Sequence, residues 1–122
     1  MQEIYIQDKT FDKIDFTQNT FIKGEYENCV FNNCNFAACN MSGNQFIDCG
    51  FNNCNLSLMK LNQTVFRDVK FKECKMLGLR FEQCSSFGLS FSFEGCHLNH
   101  SSFYKTKVKM TVLRYKLHKL LH

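Results

Sequence analysis

The amino-acid sequence predicts an all-β fold, a solenoid of square cross-section wound about five times and followed by a short C-terminal helix. Three observations carry that expectation. An apolar residue recurs at every fifth position from Ile6 to Phe81, a second and mostly small residue precedes each of these centres by two, and the chain matches itself best when shifted by twenty.

The centres are Ile6, Phe11, Phe16, Phe21, Tyr26, Phe31, Phe36, Met41, Phe46, Phe51, Leu56, Leu61, Phe66, Phe71, Met76 and Phe81. With 44% apolar residues, a run of sixteen at fixed spacing would arise by chance roughly twice in a million trials, so the period is a signal. A step of five turns a helix by about 140° and alternates the face of a strand, so neither element buries all sixteen. The backbone must turn after each unit. All eight cysteines (Cys29, Cys34, Cys39, Cys49, Cys54, Cys74, Cys84 and Cys96) occupy the position two before a centre, which assigns them to the wall of the core.

The self-match sets the number of units per coil. NCVFNNCNF, residues 28–36, agrees with DCGFNNCNL, residues 48–56, at six of nine positions, and the offset is twenty. Four units of five then complete one square coil, as in stacked repeat architectures. Phe11, Phe31, Phe51 and Phe71 form one vertical stack, Cys29 lies under Cys49, and Cys34, Cys54 and Cys74 make another column. Adjacent coils are expected about 4.8 Å apart, the spacing of hydrogen-bonded strands.

The register slips once. Cys84 still fits, but the centre expected after it is Ser86, and the pattern resumes two residues late at Phe93, Leu98 and Phe103. The intervening SSFGLSF segment reads as a two-residue bulge that absorbs a packing defect, with Phe87 as a candidate outward-pointing contact. Beyond it, Met110, Leu113, Leu117, Leu120 and Leu121 recur at helical spacing among basic residues, so residues 110–122 read as an amphipathic helix that caps the last coil or pairs two copies. The expected organisation is a solenoid over residues 1–109, broken near 85–92, and this helix over 110–122.

Composition bounds the rest. One hundred and twenty-two residues suit a single domain, and 15 basic against 11 acidic residues give +4 at pH 7. Proline and tryptophan are absent, while there are 14 phenylalanines and eight cysteines. No apolar run approaches the roughly 18 to 20 residues of a membrane span, and the first residues lack signal-peptide character. A cytoplasmic location and reduced thiols are expected.

An apolar centre, a small residue two before it and polar residues between resemble the pentapeptide-repeat proteins. The resemblance spans residues 4–108 and implies a right-handed quadrilateral β-helix. CKMLGLRFEQC at residues 74–84 and FSFEGCHLNHSSF at 91–103 further resemble the quinolone-resistance class, the Qnr and mycobacterial fluoroquinolone-resistance proteins. In that class an acidic rod imitates duplex DNA and docks on DNA gyrase or topoisomerase IV, and full-length members carry about twice as many coils and end in a cap that pairs two subunits.

Catalytic chemistry finds no support in the residues. The cysteine intervals of five, ten, twelve and twenty place each thiol on a different wall or coil rather than in the two-to-four spacing of structural zinc sites. His97 and His100 read as surface residues, as do His118 and His122. No Gly-rich phosphate loop, nucleophile elbow or His/Glu metal motif occurs, and a Phe-filled tube has no interior pocket. No enzyme activity, cofactor or metal is expected.

Charge divides the chain. Residues 1–58 carry seven acidic and three basic side chains, net −4, whereas residues 59–122 carry four and twelve, net +8. Asp8, Asn28, Asp48 and Asp68 are spaced by twenty and form a ladder up one edge, although Asp and Asn are also the turn residues that any corner favours. Lys60, Lys70, Lys75 and Arg80 occupy outward positions in the second half, which counts against a uniformly negative rod, and without an aromatic stacking platform direct nucleic-acid binding is not expected. The expected function is non-enzymatic protein binding through the outer walls. The resemblance implies DNA mimicry toward gyrase or topoisomerase IV, with Asp8, Asp48, Asp68 and Phe87 as candidate contacts; the alternative is a general scaffold or a truncated solenoid without independent activity. A homodimer through the C-terminal helix is the candidate self-association.

Overall fold

The computed structural model describes residues 4–104 and, as backbone, residues 109–113. Ten short parallel strands wind into a four-walled solenoid. On the first wall β1 (Ile4–Gln7), β3 (Gly24–Glu27), β5 (Gln45–Ile47) and β7 (Val65–Arg67) stack in that order. On the second, β2 (Thr10–Asp12), β4 (Val30–Asn32), β6 (Gly50–Asn52), β8 (Val69–Lys72), β9 (Ser90–Glu94) and β10 (Lys109–Leu113) stack likewise. The remaining walls are held by isolated parallel bridges, Asp15 to Asn35 to Asn55 to Lys75 on one and Asn40 to Lys60 on the other.

The register is twenty throughout the first four coils: Phe11 pairs with Phe31, Phe31 with Phe51 and Phe51 with Phe71. Their rings stack at 4.8, 4.8 and 5.3 Å, within 18° of parallel, which is the coil spacing expressed in side chains. Neighbouring walls meet edge to face, as Phe31 does with Phe36 at 5.6 Å and with Phe46 at 6.1 Å. Offset stacks along the axis and T-shaped pairs across it are the two favoured aromatic geometries, so one square core uses both. From the third coil onward Leu56, Leu61 and Met76 take over part of the interior, all fully buried.

A pentapeptide must turn a corner, and after most centres the backbone does so at the residue two further on. Asp8, Asn28, Asp48 and Asp68 have φ of 59°, 54°, 54° and 54°, and Asn33, Asn53, Gly43 and Gly78 serve the same purpose on other edges. The left-handed region costs most L-residues about 1–2 kcal/mol, and Asn, Asp and Gly tolerate it best. Leu58 adopts it too, at φ 61°, with its side chain 62% exposed.

The residue two before each centre has a second task besides being small. Cys49 Sγ donates to the Tyr26 carbonyl at 3.2 Å, Cys54 to Phe31 at 3.2 Å and Cys74 to Phe51 at 3.2 Å, each reaching the centre of the coil below. Thr64 Oγ1 does the same to Met41 at 2.9 Å, and Ser101 Oγ to Met76 at 2.7 Å. The column is thus a ladder of donors that ties each coil to its predecessor.

Between the fourth and fifth coils the register changes to twenty-two: Val69 pairs with Phe91, Phe71 with Phe93 and Lys75 with His97. The two added residues bring Phe91, 4% exposed, opposite Val69, where an offset of twenty would place Leu89, while Ser86 stays exposed. Phe91 lies edge to face with Phe66 at 6.4 Å and tilted against Phe81 at 5.2 Å.

The helix expected over residues 110–122 is corrected where the structure describes it. Met110 and Leu113 belong to β10, which pairs parallel with β9, Met110 opposite Phe91 and Leu113 opposite Glu94. The edge of β9 templates a strand, and the β-branched pair Thr111 and Val112 suits it better than a helix. Leu117, Leu120 and Leu121 lie outside the described residues.

Candidate partner-binding surface

With the interior filled, chemistry toward other molecules is confined to the outer walls. Among the described residues no group of three or more His, Cys, Asp or Glu side chains is placed to hold a metal ion. Seven of the eight cysteines are buried and Cys39 is half-buried. Burial pushes the Cys49 and Cys84 thiols up to about 12, far from the range of a reactive thiolate.

The corner between the first two walls carries Asp8, Asn28, Asp48 and Asp68, one on each coil. Asn28 Nδ2 donates to Asp8 Oδ1 at 2.7 Å, which joins the first two rungs. At the upper end the Ser90 hydroxyl accepts from the Asp68 N–H at 2.8 Å and donates to Asp68 Oδ1 at 3.1 Å, so the inserted residues close the ladder with a neutral side chain. Asp48 stands between them, exposed. A shallow groove of about 420 Å³ runs beside the ladder, with Asp48 and Asp68 along one side and Lys70 on the other. Gly50 leaves the middle of it open, because a Cβ there would meet nothing within 4 Å.

The lower part of the same wall is acidic. Glu25 and Glu27 project from β3, and the Tyr5 hydroxyl donates to Glu27 Oε1. That bond, made to a negatively charged acceptor, raises Tyr5 to about 12. Higher on the wall the sign reverses. Arg67 lies 5.9 Å from the ring centre of Phe87, a cation–π contact on a side chain 72% exposed. Gly88 permits it twice over: its φ is +65°, and a Cβ there would approach Arg67 Cδ to 2.9 Å. Phe87 and the Asp ladder therefore share one edge of the rod, with Phe87 at its upper end.

Lys60, Lys70, Lys75 and Arg80 are all exposed, and Arg80 lies 3.7 Å from Glu82. His97 and His100 are exposed beside a second groove of about 600 Å³ that Glu73 and Lys75 also line. The core residues Phe31, Phe51 and Phe71 are fully enclosed, and Phe11 is half-buried at the lower end. Sequence reasoning missed the donor role of the residue two before each centre; the signal was the restriction of that position to Cys, Ser, Thr and Asn on several coils. It also missed Phe91, which falls on the original count of five but is set by the two-residue shift opposite Val69, two before the centre Phe93.

Residues 49–85 match the family model of pentapeptide repeats, in eight copies. No curated protein matches the chain in sequence. Among solved structures the fold is similar to full-length QnrB1, a plasmid-mediated fluoroquinolone resistance protein, with a TM-score of 0.60 and 19% identity over 87% of this chain and 55% of that one. It is also similar to Rfr23, a pentapeptide repeat protein from the cyanobacterium Cyanothece 51142, with a TM-score of 0.66 and 9% identity over 93% of this chain and 86% of that one. The chain thus spans about half the length of QnrB1.

Proposed function

We propose that this chain, a pentapeptide-repeat β-solenoid, is a non-enzymatic protein-binding rod whose partner is DNA gyrase or topoisomerase IV. The observation that carries the reading is the filled interior: stacked rings leave no cavity for a substrate, so recognition falls to the outer walls. The likeness to QnrB1, a plasmid-mediated fluoroquinolone resistance protein, supports the choice of partner class. Asp8, Asp48 and Asp68 present carboxylates on three of the four rungs of one corner edge, with Asn28 on the second, and Phe87 adds an apolar anchor at one end of it. Carboxylates on a ladder stand in for the phosphates that a topoisomerase contacts with basic side chains.

The test adds the intact protein to gyrase and measures supercoiling together with cleavage complexes trapped by a fluoroquinolone. Fewer trapped complexes, with Asp48→Lys and Phe87→Ala each weakening the effect, are the expected outcome. Absence of binding at roughly tens of micromolar removes the reading. The exposed cations Lys60, Lys70, Lys75 and Arg80 favour a second one, a general scaffold for an acidic partner. That scaffold would bind normally after Asp48→Lys and lose its partner when Lys70 and Lys75 are reversed.

A further inference from the structure

Leu58 departs from the chemistry of its own edge. It occupies the corner between the third and fourth walls, with Ala38 one coil below and Gly78 and His100 above, and the backbone is left-handed at all four, with φ of 60°, 61°, 68° and 64° from Ala38 upward. Among the described residues it is the only large apolar side chain held in that conformation, and it is 62% exposed. The strained backbone therefore gains no burial, and an outlier of this kind points to a task outside the fold. Its side chain lies across Gly78, where an added Cβ would come within 2.8 Å of Leu58 Cδ2. Leu77, half-buried, stands beside it, its carbonyl accepting from the Leu58 N–H at 2.9 Å. Ala38, Leu58 and Leu77 thus form an apolar ridge midway along the rod, on the edge diagonally opposite Asp48.

The surroundings indicate what the ridge receives. This edge cannot add a strand, because the N–H groups of Ala38, Leu58 and Gly78 already donate to the Ser57, Leu77 and Asn99 carbonyls of the coil above, so side chains must do the binding. Beside the ridge the third wall is hollowed into the groove of about 600 Å³ that Leu77, Lys75, Asn99 and His100 line, within the size range of ligand clefts. Lys75 stands two residues before Leu77, Lys60 two after Leu58 and Arg80 two after Gly78, all exposed. The carboxylates beside them are Glu82, 3.7 Å from Arg80, and Glu73, at the far corner of the groove against Gly95, so cations stay in excess. We infer that this edge docks a partner segment in which one apolar side chain is flanked by carboxylates. The apolar group seats on Leu58 and Leu77, while the acidic groups face Lys75 across the groove and Lys60 and Arg80 on the fourth wall. A narrow corner beside a concave groove suits an extended chain and not a flat lipid surface. The site shares no residue with the Asp ladder or Phe87 and stands without the gyrase reading.

The probe is a short fluorescein-labelled peptide with a central leucine between aspartates, titrated with the full chain and followed by anisotropy. Saturable binding with Kd below roughly 1 mM is expected at low salt, weakening at least about tenfold at high salt or when serine replaces the peptide's leucine. Leu58→Gly separates docking from folding: glycine accepts φ 61° without strain, so the variant is expected to melt within a few degrees of the parent while its peptide affinity falls at least about tenfold. Lys60→Glu combined with Lys75→Glu is expected to abolish binding, and Asp48→Lys, on the other edge, to leave it unchanged. Peptide-induced amide shifts are expected to cluster at Leu58, Leu77, Gly78 and His100. Absence of saturable binding, full binding by Leu58→Gly, loss of binding in Asp48→Lys, or equal binding of a peptide with lysines in place of the aspartates each overturns the inference. So does retention on phosphatidylserine vesicles without binding of the peptide, and so does Leu58-dependent self-association in sedimentation, which would assign the ridge to a second copy.

Discussion

Truncating one ring in the middle of the stack measures how the solenoid is held together. Phe51 is 2% exposed, with Phe31 at 4.8 Å below, Phe71 at 5.3 Å above and Phe46 edge-on at 5.4 Å. Phe51→Ala removes a ring enclosed on every side, and rigid neighbouring coils cannot collapse into the void, so the loss is set at about 3–5 kcal/mol. Phe11 has the same chemistry and the same column but only one stacked neighbour, Phe31, and it is partly open to solvent. Phe11→Ala should therefore cost about 1–2 kcal/mol. Guanidinium unfolding followed by far-ultraviolet circular dichroism gives both values, with equal slopes required before midpoints are compared. A domain of this size has about 5–15 kcal/mol in total, so the difference is large enough to resolve. Equal costs for the two variants, or a Phe51→Ala cost under about 1 kcal/mol, would refute the stacked core.

Other perturbations follow from the same geometry. Ser101, 1% exposed, accepts from the Leu79 N–H at 2.9 Å and donates to the Met76 carbonyl at 2.7 Å, so Ser101→Ala should destabilise by about 1–3 kcal/mol in the same unfolding assay. Asp48, at φ 54°, should accept Asp48→Gly within a few tenths of a kcal/mol, while Asp48→Val should cost about 1–2 kcal/mol or more, as read from thermal melts. Phe87→Ala should leave stability within about 0.5 kcal/mol of the parent, because the ring is 72% exposed, while reducing partner capture in a pull-down. Burial holds Cys49 and Cys84 neutral up to about 12, against 9.0 for an ordinary thiol. The unfolded chain then ionises first, so the stability from these groups is complete below about pH 9 and falls as pH rises toward 12; a urea midpoint that stays flat over that window would contradict the assignment.

Much of this architecture was legible because a pentapeptide repeat writes its geometry directly into the spacing. A centre every five residues and an offset of twenty leave little choice but a square coil, and the pairing of Phe31 with Phe51 follows from counting. The Asp ladder was legible as a corner for a local reason, since Asp and Asn tolerate the left-handed backbone found at Asp8, Asp48 and Asp68. Long-range compensation was less visible. Phe91 falls on the count of five, yet the two added residues pair it with Val69 and make Phe93 the centre, which the count alone does not reveal, and the C-terminal segment follows the edge of β9 although its apolar spacing suits a helix. The cysteines looked like filler of the right size, and their hydrogen bonds to the coil below emerge only once the coils are stacked.

Counting reactive thiols in the native protein with a chromogenic disulfide reagent addresses the filled tube most directly, because the cysteines sit on its walls from the second coil to the fifth. Seven of the eight are buried, leaving Cys39 half-buried. At most one thiol should react without denaturant, and all eight should react in guanidinium. Prompt reaction of several thiols in the native protein would mean that these positions face water, and the solenoid with its sealed interior would be wrong.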